Sequence, residues 1–198
     1  MNLHTVQRTV EGPAGAIACA IDEPAAGTAL RGVAVLCHPH PQHGGTMDNK
    51  VVQTLARAFV QLGWRALRFN FRGVGGSAGA WDEGRGEVED LLAVVDHAAG
   101  SGLPLALGGF SFGGAIAARA ALRLADSGGA VPARLVLVGP AVANFPAPPV
   151  PQHALVVHGE ADEVVPLASV LDWARPQTLP VQVNRTRNTS SIEVLRSR

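Results

Sequence analysis

A serine flanked by glycines lies near the middle of the chain, in the segment GGFSFGG at residues 108–114. Gly109, Ser111 and Gly113 fit the pattern G-x-S-x-G, in which the serine hydroxyl is a candidate nucleophile for attack on a carbonyl carbon. The serine follows an apolar run, LPLALGGF, and precedes a helical pattern, FGGAIAARAALRLADSGG. A tight turn between a strand and a helix lifts the hydroxyl clear of the sheet, and bulky neighbours would clash there. The pattern therefore predicts a nucleophile at Ser111.

Two backbone amides are expected to stabilise the negative charge that such an attack places on the carbonyl oxygen. The amide of Phe112 is one candidate, because it begins the helix that follows the serine. The second is expected from the loop CHPHPQHGGT, which follows an earlier apolar run. Pro39 and Pro41 have no amide hydrogen, which leaves His40 as the leading candidate and Gln42 behind it. The prolines also predict a rigid loop.

A candidate acid lies in the segment HGEADEVVP at residues 158–166, directly after another apolar run. Glu160, Asp162 and Glu163 all lie there, and we select Asp162 as the partner of the serine. A lone acid in a loop is more often a solvated charge or a helix cap. The upstream Ser111 favours the catalytic interpretation, because the order serine, then acid, then histidine is typical of one hydrolase fold.

The expected third member, a histidine that follows the acid, is missing: no histidine occurs after His158. His158 lies four residues before Asp162 at the end of a strand, which favours a structural neighbour of the acid. One of the histidines in the loop near the serine is an alternative base. The remaining histidines are placed less favourably: His4, His97 and His153.

Short apolar runs that alternate with helical patterns organise the chain. Strands that are apolar on both faces and alternate with helices predict a mostly parallel sheet covered by helices on both faces. The first 30 residues alternate more weakly and predict an antiparallel edge. The predicted strands are 33–38, 64–71, 103–110, 134–140 and 153–159, and the predicted helices are 48–63, 87–100, 112–129 and 166–176.

The composition predicts one globular domain without nucleic-acid or membrane partners. The 198 residues are 47% hydrophobic, and 16 basic residues balance 16 acidic ones, so no net charge favours an anionic partner. The first residues lack the basic and apolar segments of a signal peptide, and no apolar run approaches the roughly 18 residues of a membrane span. Cys19 and Cys37 lie in apolar runs and are expected to be buried free thiols. A cytoplasmic location is therefore expected.

The last 17 residues differ sharply from the rest. Residues 182–198 contain no Ala, Gly or Pro, and they carry four basic residues and one acidic residue. We expect residues 1–181 to form the domain and 182–198 to be a polar, basic tail that is disordered or non-native. A shifted reading frame after Val181 would explain both the change in composition and the missing histidine. A diverged, inactive relative is the alternative.

Four segments in this order, HPHPQHGGTMDNKVV, RFNFRGVGGSAG, GFSFGG and HGEADEVVP, resemble the small lidless α/β serine hydrolases of bacteria, which are related to the dienelactone hydrolase group. The resemblance covers about residues 5–181. It implies a three-layer α/β-hydrolase fold with a sheet of eight strands or slightly fewer, an ester substrate and no cofactor or metal. The C-terminal part of the fold is expected to be incomplete, because the composition changes after Val181 and the histidine is missing. It supports Ser111 as nucleophile, Asp162 as acid, and the amides of Phe112 and His40 as oxyanion donors.

The resemblance also implies a histidine on a loop after the last strand, which this sequence lacks, so activity on carboxylic esters is expected to be weak or lost. One alternative is a catalytically inert binding protein with a hydrolase fold. A second is a zinc hydrolase that uses His38, His40 and His43, although Gln42 stands where the corresponding zinc motif has an acid. A small-molecule ester is the expected partner, and the sequence assigns no oligomeric state.

Overall fold

The computed structural model describes residues 5–100, 102–129 and 131–185. The strands are β1 (Val6–Gly12), β2 (Gly15–Asp22), β3 (Gly32–Cys37), β4 (Trp64–Phe69), β5 (Leu105–Phe110), β6 (Arg134–Val138), β7 (Leu155–Gly159) and β8 (Val181–Asn184). The helices are α1 (Lys50–Gln61), α2 (Arg85–Ala99), α3 (Phe112–Asp126) and α4 (Leu167–Ala174), with short 3-10 turns at Pro41–His43 and Arg175–Gln177. Each predicted helix and strand is present, with ends that differ by a few residues.

The eight strands form one sheet in the order β1-β2-β4-β3-β5-β6-β7-β8. The pairs β1–β2 and β2–β4 are antiparallel, whereas every pair from β4–β3 onward is parallel. The mostly parallel sheet and its antiparallel edge are therefore confirmed. Because the carboxyl ends of the parallel strands share one edge, the loops after β3, β5 and β7 lie along that edge.

Helix α1 covers one face of the sheet. Its apolar side chains, among them Val52, Leu55 and Phe59, pack against Leu36 of β3 and Trp64 of β4. The opposite face is covered by α2, α3 and α4, whose buried side chains join a larger apolar core that includes Leu91, Ile116 and Val170. The result is the predicted three-layer α/β arrangement.

Local sequence explains where the helices begin and end. The side chain of Asn49 caps α1 by accepting a hydrogen bond from the amide of Val51 over 2.9 Å. Gly63, with φ 82°, allows the chain to turn from α1 into β4. The fully buried carboxylate of Glu87 accepts from the amide of Gly84 over 2.8 Å and closes the first turn of α2.

The last strand, β8, extends past residue 181, where the composition predicts the domain to end. Residues 182–184, which the composition assigned to the polar tail, continue β8, and Val157 pairs with Gln182 and Gly159 with Asn184. The amide of Glu160 also donates to the carbonyl of Asn184 over 2.8 Å. Backbone pairing does not require apolar side chains, and an outer strand tolerates polar ones. The predicted disorder or non-native character of the remaining tail, 186–198, concerns residues outside the described ranges.

Within the described ranges, no helix combines the length and the apolar character that crossing a membrane requires.

Candidate active site

The backbone of Ser111 adopts a conformation that is rare for a residue with a side chain, with φ 54° and ψ −117°. Its amide donates to the carbonyl of Val138 over 2.9 Å, at the end of the neighbouring strand β6. Its carbonyl accepts from the amides of Gly114 and Ala141 over 3.0 and 3.1 Å. These bonds to the next strand and its loop hold the strained turn in place.

The two glycines of the motif are required by close packing. A Cβ atom on Gly109 would overlap the carbonyl group of Gly113 across the turn. A Cβ atom on Gly113 would lie 2.5 Å from the carbonyl oxygens of both Cys37 and His38. The N-terminus of α3 thus packs directly against the end of β3, which brings the turn at Ser111 next to the loop that holds His40.

Neither the hydroxyl of Ser111 nor the amide of Phe112 makes a hydrogen bond within helix α3. Ser111 occupies the N-cap position of α3, but its side chain makes no capping hydrogen bond. Phe112 is the first helical residue, and an amide at that position has no acceptor within the helix. An amide at a helix N-terminus carries partial positive charge, so it is suited to stabilise an oxyanion beside the serine.

Most backbone amides of the loop after β3 donate hydrogen bonds within the loop itself. The amides of His43 and Gly45 donate to the carbonyl of His40 over 3.1 and 3.0 Å. The amide of Gln42 donates to the His40 ring atom Nδ1 over 3.2 Å, so the second-ranked donor already has an acceptor. In the described part of the chain, the amide of His40 has no acceptor. The geometry therefore favours His40 over Gln42 as a donor.

Aromatic rings surround His40, and the sequence analysis missed this cluster. The His40 ring stacks on His43 at a centroid distance of 4.4 Å and also contacts Trp81, Phe112 and Phe145 at 4.5, 5.3 and 5.3 Å. Phe112 is fully buried, whereas Trp81 and Phe145 are half-buried. Trp81 and Phe145 come from loops that are distant in sequence, and no local pattern indicates that they meet.

Burial, and then the nearby charge of His43, lower the pKa of His40 below its usual value. The His40 ring is therefore neutral at pH 7. Together with Trp81, Phe112 and Phe145, it forms a group of uncharged rings next to the turn at Ser111.

Asp162 follows β7 in a tight turn, as predicted. One carboxylate oxygen, Oδ1, accepts from the amides of Val164 and Val165, each over 2.9 Å. The carbonyl of Val165 in turn accepts from Nε2 of the fully buried His158 over 2.8 Å. His158 therefore supports the turn that orients the acid, which agrees with its interpretation as a structural neighbour.

The structure brings the four predicted site residues to the same edge of the sheet. It does not bring all four of them into contact with one another. The rings of His40 and Phe112 are in contact, and both residues adjoin the turn at Ser111. Asp162 follows β7, which is separated from β5 and Ser111 by β6. The edge thus carries the candidate nucleophile, the two candidate donors and the candidate acid.

Both ring nitrogens of His38 are engaged in hydrogen bonds within the fold. Its Nδ1 lies 2.6 Å from the carbonyl oxygen of Pro39, and its Nε2 lies 3.1 Å from the amide of Phe71. The carbonyl oxygen of Pro39 can only accept and the N–H group of Phe71 can only donate. The His38 ring is therefore neutral, with its proton on Nδ1. Burial lowers the pKa of His38 to about 4, which agrees with that assignment.

The zinc alternative does not fit this geometry. A metal bound by His38 would break one of its two hydrogen bonds, and both are needed to satisfy a buried ring. Among the described residues, no group of three or more His, Cys, Asp or Glu side chains is arranged to hold a metal ion. His38, His40 and His43 therefore serve other roles.

The segment RGVGGSAG, residues 72–79, is a braced loop. Arg72 donates to Asp90 through its side chain over 3.0 and 2.7 Å and through its amide over 3.0 Å. The hydroxyl of Ser77 donates to the carbonyl of Asn70 over 2.7 Å. No helix begins directly after these glycines, since α2 starts at Arg85. The loop is therefore a structural element, and it lacks the helix that directly follows the glycines of a dinucleotide-binding turn.

Comparisons with known proteins agree with this fold. A lidless α/β serine hydrolase from Xanthomonas campestris is 36% identical and superposes over 93% of this chain and 84% of its own, with a TM-score of 0.81. An α/β serine hydrolase homologue from Coxiella burnetii is 38% identical, with coverage of 90% and 85% and a TM-score of 0.75. The fold and these relatives define the class as the α/β serine hydrolases, which confirms the resemblance noted from the motifs.

The family follows from a match to the model described as serine aminopeptidase, S33, over residues 29–191. The chain belongs to this family. The match continues ten residues past the predicted domain boundary at 181. An uncharacterised protein of Rickettsia prowazekii (strain Madrid E) is 45% identical over 97 residues, which cover 46% of this chain and 40% of the relative. The chain thus matches less than half the length of that relative.

Proposed function

We propose that this chain is a serine hydrolase that acts on small carboxylic esters through an acyl-enzyme at Ser111. The observation that carries the proposal is the turn at Ser111, with φ 54°, a hydroxyl that caps nothing and a helix N-terminus directly after it. Strained backbone at such a position costs about 1–3 kcal/mol, and it persists where the surrounding structure enforces it. The uncharged aromatic surface around His40 supports an uncharged ester as substrate.

In the proposed reaction, the Ser111 Oγ attacks the ester carbonyl carbon while its proton passes to a base. The carbonyl oxygen becomes an oxyanion that accepts hydrogen bonds from the amides of Phe112 and His40. The carbon–oxygen bond to the alcohol then breaks, and the alcohol leaves with a proton. Water attacks the acyl-serine in the same way and releases the carboxylic acid. Asp162 is proposed as the acid that orients and stabilises a protonated base.

The usual base of such a site is missing, because no histidine follows Asp162 in the sequence. His38 is excluded by its two hydrogen bonds, and His158 donates to the carbonyl of Val165. We therefore expect slow turnover. In a serine protease that lacks triad members, binding and the oxyanion hole alone retain roughly 10³–10⁴-fold acceleration over water.

The absent histidine also favours a second candidate, a hydrolase-fold protein that binds a ligand without turnover. Labelling with a fluorophosphonate probe, followed by mass spectrometry of the peptide that carries the label, separates the two. We expect the wild type to be labelled on Ser111 and the Ser111→Ala variant to remain unlabelled. Ser127→Ala, at the other end of the same helix, is the matched control and should label like the wild type.

Turnover is measured with p-nitrophenyl acetate under the same conditions. A rate above the buffer background that disappears in Ser111→Ala supports an esterase, whereas equal rates in the two proteins contradict it. A wild type that is neither labelled nor active, yet binds a non-hydrolysable ester analogue, identifies the inert binding protein instead.

The proposed chemistry requires no cofactor, and we place it in the cytoplasm with a small-molecule ester as the partner. Cys19 and Cys37 are free and buried, which is compatible with a reducing compartment.

A further inference from the structure

The buried carboxylate of Glu87 makes one hydrogen bond more than a helix cap requires. Its oxygen Oε2 accepts from the amide of Gly84 over 2.8 Å, which is the bond that closes the first turn of α2. Its other oxygen, Oε1, accepts from the amide of Asp82 over 2.9 Å, and Asp82 lies outside the helix. Glu87 is fully buried, so neither oxygen is exposed to water. The bond to Asp82 therefore needs an explanation beyond capping.

The bond to Asp82 fixes the loop that carries Trp81, because Asp82 follows Trp81 directly. The backbone of this loop is unusual, since Glu83 has φ 53° and Gly84 has φ 84°. A residue with a side chain adopts such a left-handed conformation only where the surrounding structure enforces it. The two bonds to Glu87 lie on either side of Glu83, and they supply that restraint.

The ring of Trp81 packs against His40. Among the Trp and Phe rings that contact His40, that of Trp81 is the nearest, at a centroid distance of 4.5 Å, and those of Phe112 and Phe145 follow at 5.3 Å. The same His40 ring accepts from the amide of Gln42 through Nδ1, so it is also tied to its own loop. A ring held in this way restrains the backbone that carries it, including the amide proposed as the second oxyanion donor.

We propose that Glu87 is a positioning residue for the oxyanion site: its carboxylate fixes the loop that holds Trp81 against His40, and this contact keeps the amide of His40 in place beside Ser111. Glu87 acts through Trp81 and takes no direct part in the chemistry. The expected effect on Ser111 rests on the proposed function, whereas the placement of the His40 ring does not.

Trp81 and Phe112 join the larger apolar core on the side of the sheet that α2 and α3 cover. A residue that only capped α2 would contribute to the stability of that helix and leave His40 unaffected. A positioning residue changes the surroundings of His40 when it is replaced. The two roles therefore differ in what happens to one ring, which can be measured directly.

Nuclear magnetic resonance of the His40 ring reports the contact without depending on catalysis. Neighbouring aromatic rings move the Cε1 proton signal away from the position of an exposed histidine such as His153. The signal is assigned by its loss in His40→Phe. In Glu87→Gln it should move towards the exposed position, because the new NH₂ group faces one of the two amides that the carboxylate accepts from.

Two control variants separate this effect from general changes. Glu89→Gln makes the same substitution on α2, at an exposed carboxylate that pairs with Arg123, and should leave the His40 signal in place. Leu55→Ala removes a buried side chain of α1 on the opposite face of the sheet. It should lower the urea midpoint without moving the His40 signal.

The consequence at Ser111 is measured as the rate of labelling by a fluorophosphonate. Glu87→Gln and Trp81→Ala should each slow labelling about tenfold or more, since the loss of one oxyanion donor costs roughly 10²–10³-fold in turnover. Trp81→Phe keeps a ring against His40 and should retain most of the wild-type rate. The double variant should be no slower than the slower single one, because both substitutions act through the same contact.

The proposal is overturned if the His40 signal stays in place in Glu87→Gln, or if either control moves it as far. It is also overturned if the effects of Glu87→Gln and Trp81→Ala on labelling are additive, or if labelling keeps the wild-type rate while the signal moves. A wild type that is not labelled at all contradicts the proposed function instead. In that case the His40 signal alone decides whether Glu87 positions the ring.

Discussion

Gly113 and His38 approach so closely that a Cβ atom on Gly113 would lie 2.5 Å from the His38 carbonyl oxygen. The contact joins the first turn of α3 to the loop that follows β3. The two candidate oxyanion donors, the amides of Phe112 and His40, flank this contact in sequence. Their relative position therefore depends on a glycine that does not itself take part in the chemistry.

Gly113→Ala is expected to destabilise the protein by about 1–3 kcal/mol, because backbone atoms must move to admit the methyl group. The same shift should displace the amide of Phe112 and slow labelling of Ser111 by a fluorophosphonate. Urea denaturation and the labelling rate measure the two effects. Gly100→Ala is the control, since a Cβ atom there meets only the His97 carbonyl oxygen at 3.7 Å. Equal effects of the two substitutions would contradict this account.

The ion pair between Arg72 and Asp90 is expected to contribute strongly to stability. Asp90 is 1% exposed and accepts three hydrogen bonds from Arg72. Arg72→Ala leaves that carboxylate buried without its partner, which typically costs about 3–5 kcal/mol. Denaturation in urea measures the loss. Arg175→Ala, which removes the exposed pair with Asp172, should change stability by less than about 1 kcal/mol. A small effect of Arg72→Ala would show that the loop is braced in another way.

Because His38 is protonated more readily in the unfolded chain than in the folded protein, it should make the protein less stable in mild acid. Burial lowers the pKa of His38 in the folded protein to about 4, whereas an unfolded histidine has a pKa near 6.5. The unfolded chain therefore binds more protons between these two values, and the free energy of unfolding falls as the pH decreases from 6.5 towards 4. The expected contribution is up to about 3 kcal/mol.

Urea denaturation at several pH values tests this titration. His38→Asn should flatten the pH dependence in that window even if it lowers stability overall. The wild type, measured at the same pH values, is the reference for this slope. An unchanged slope in His38→Asn would mean that another group causes the acid sensitivity.

Both thiols should be inert in the folded protein. Burial raises the pKa of Cys19 to about 12 and that of Cys37 still further, so almost no thiolate is present at pH 8. An aromatic disulfide reagent should find no reactive thiol in the native protein and two after denaturation. Rapid reaction of one thiol in the native state would contradict the buried positions of these side chains.

The sequence predicted the sheet, the helices and the turn at Ser111 because these features arise from local patterns. Apolar runs such as VAVLCH identify strands that are buried on both faces, and the elbow motif requires glycine on either side of the serine. His40 was selected because its neighbours Pro39 and Pro41 have no amide hydrogen, and Asp162 because an acid follows the serine in the chain order of this fold. Their roles remain proposals.

Other features depend on contacts between segments that are distant in sequence, and only the tertiary structure decided them. The two hydrogen bonds of His38 remove it as a base and as a metal ligand, and one of them comes from Phe71 in another loop. The rings of Trp81 and Phe145 meet at His40 across three loops. Residues 182–184 join the sheet through backbone pairing to β7, which composition does not report.

The sequence by itself determined the family, the position of the candidate nucleophile and the absence of a histidine after the candidate acid, since each depends on residue identity and order. Tertiary structure decided which side chains are already engaged in hydrogen bonds. The bond from the Phe71 amide to the His38 ring, for example, joins two loops that lie far apart in sequence. Such contacts are set by packing between elements, and no local pattern in the chain encodes them.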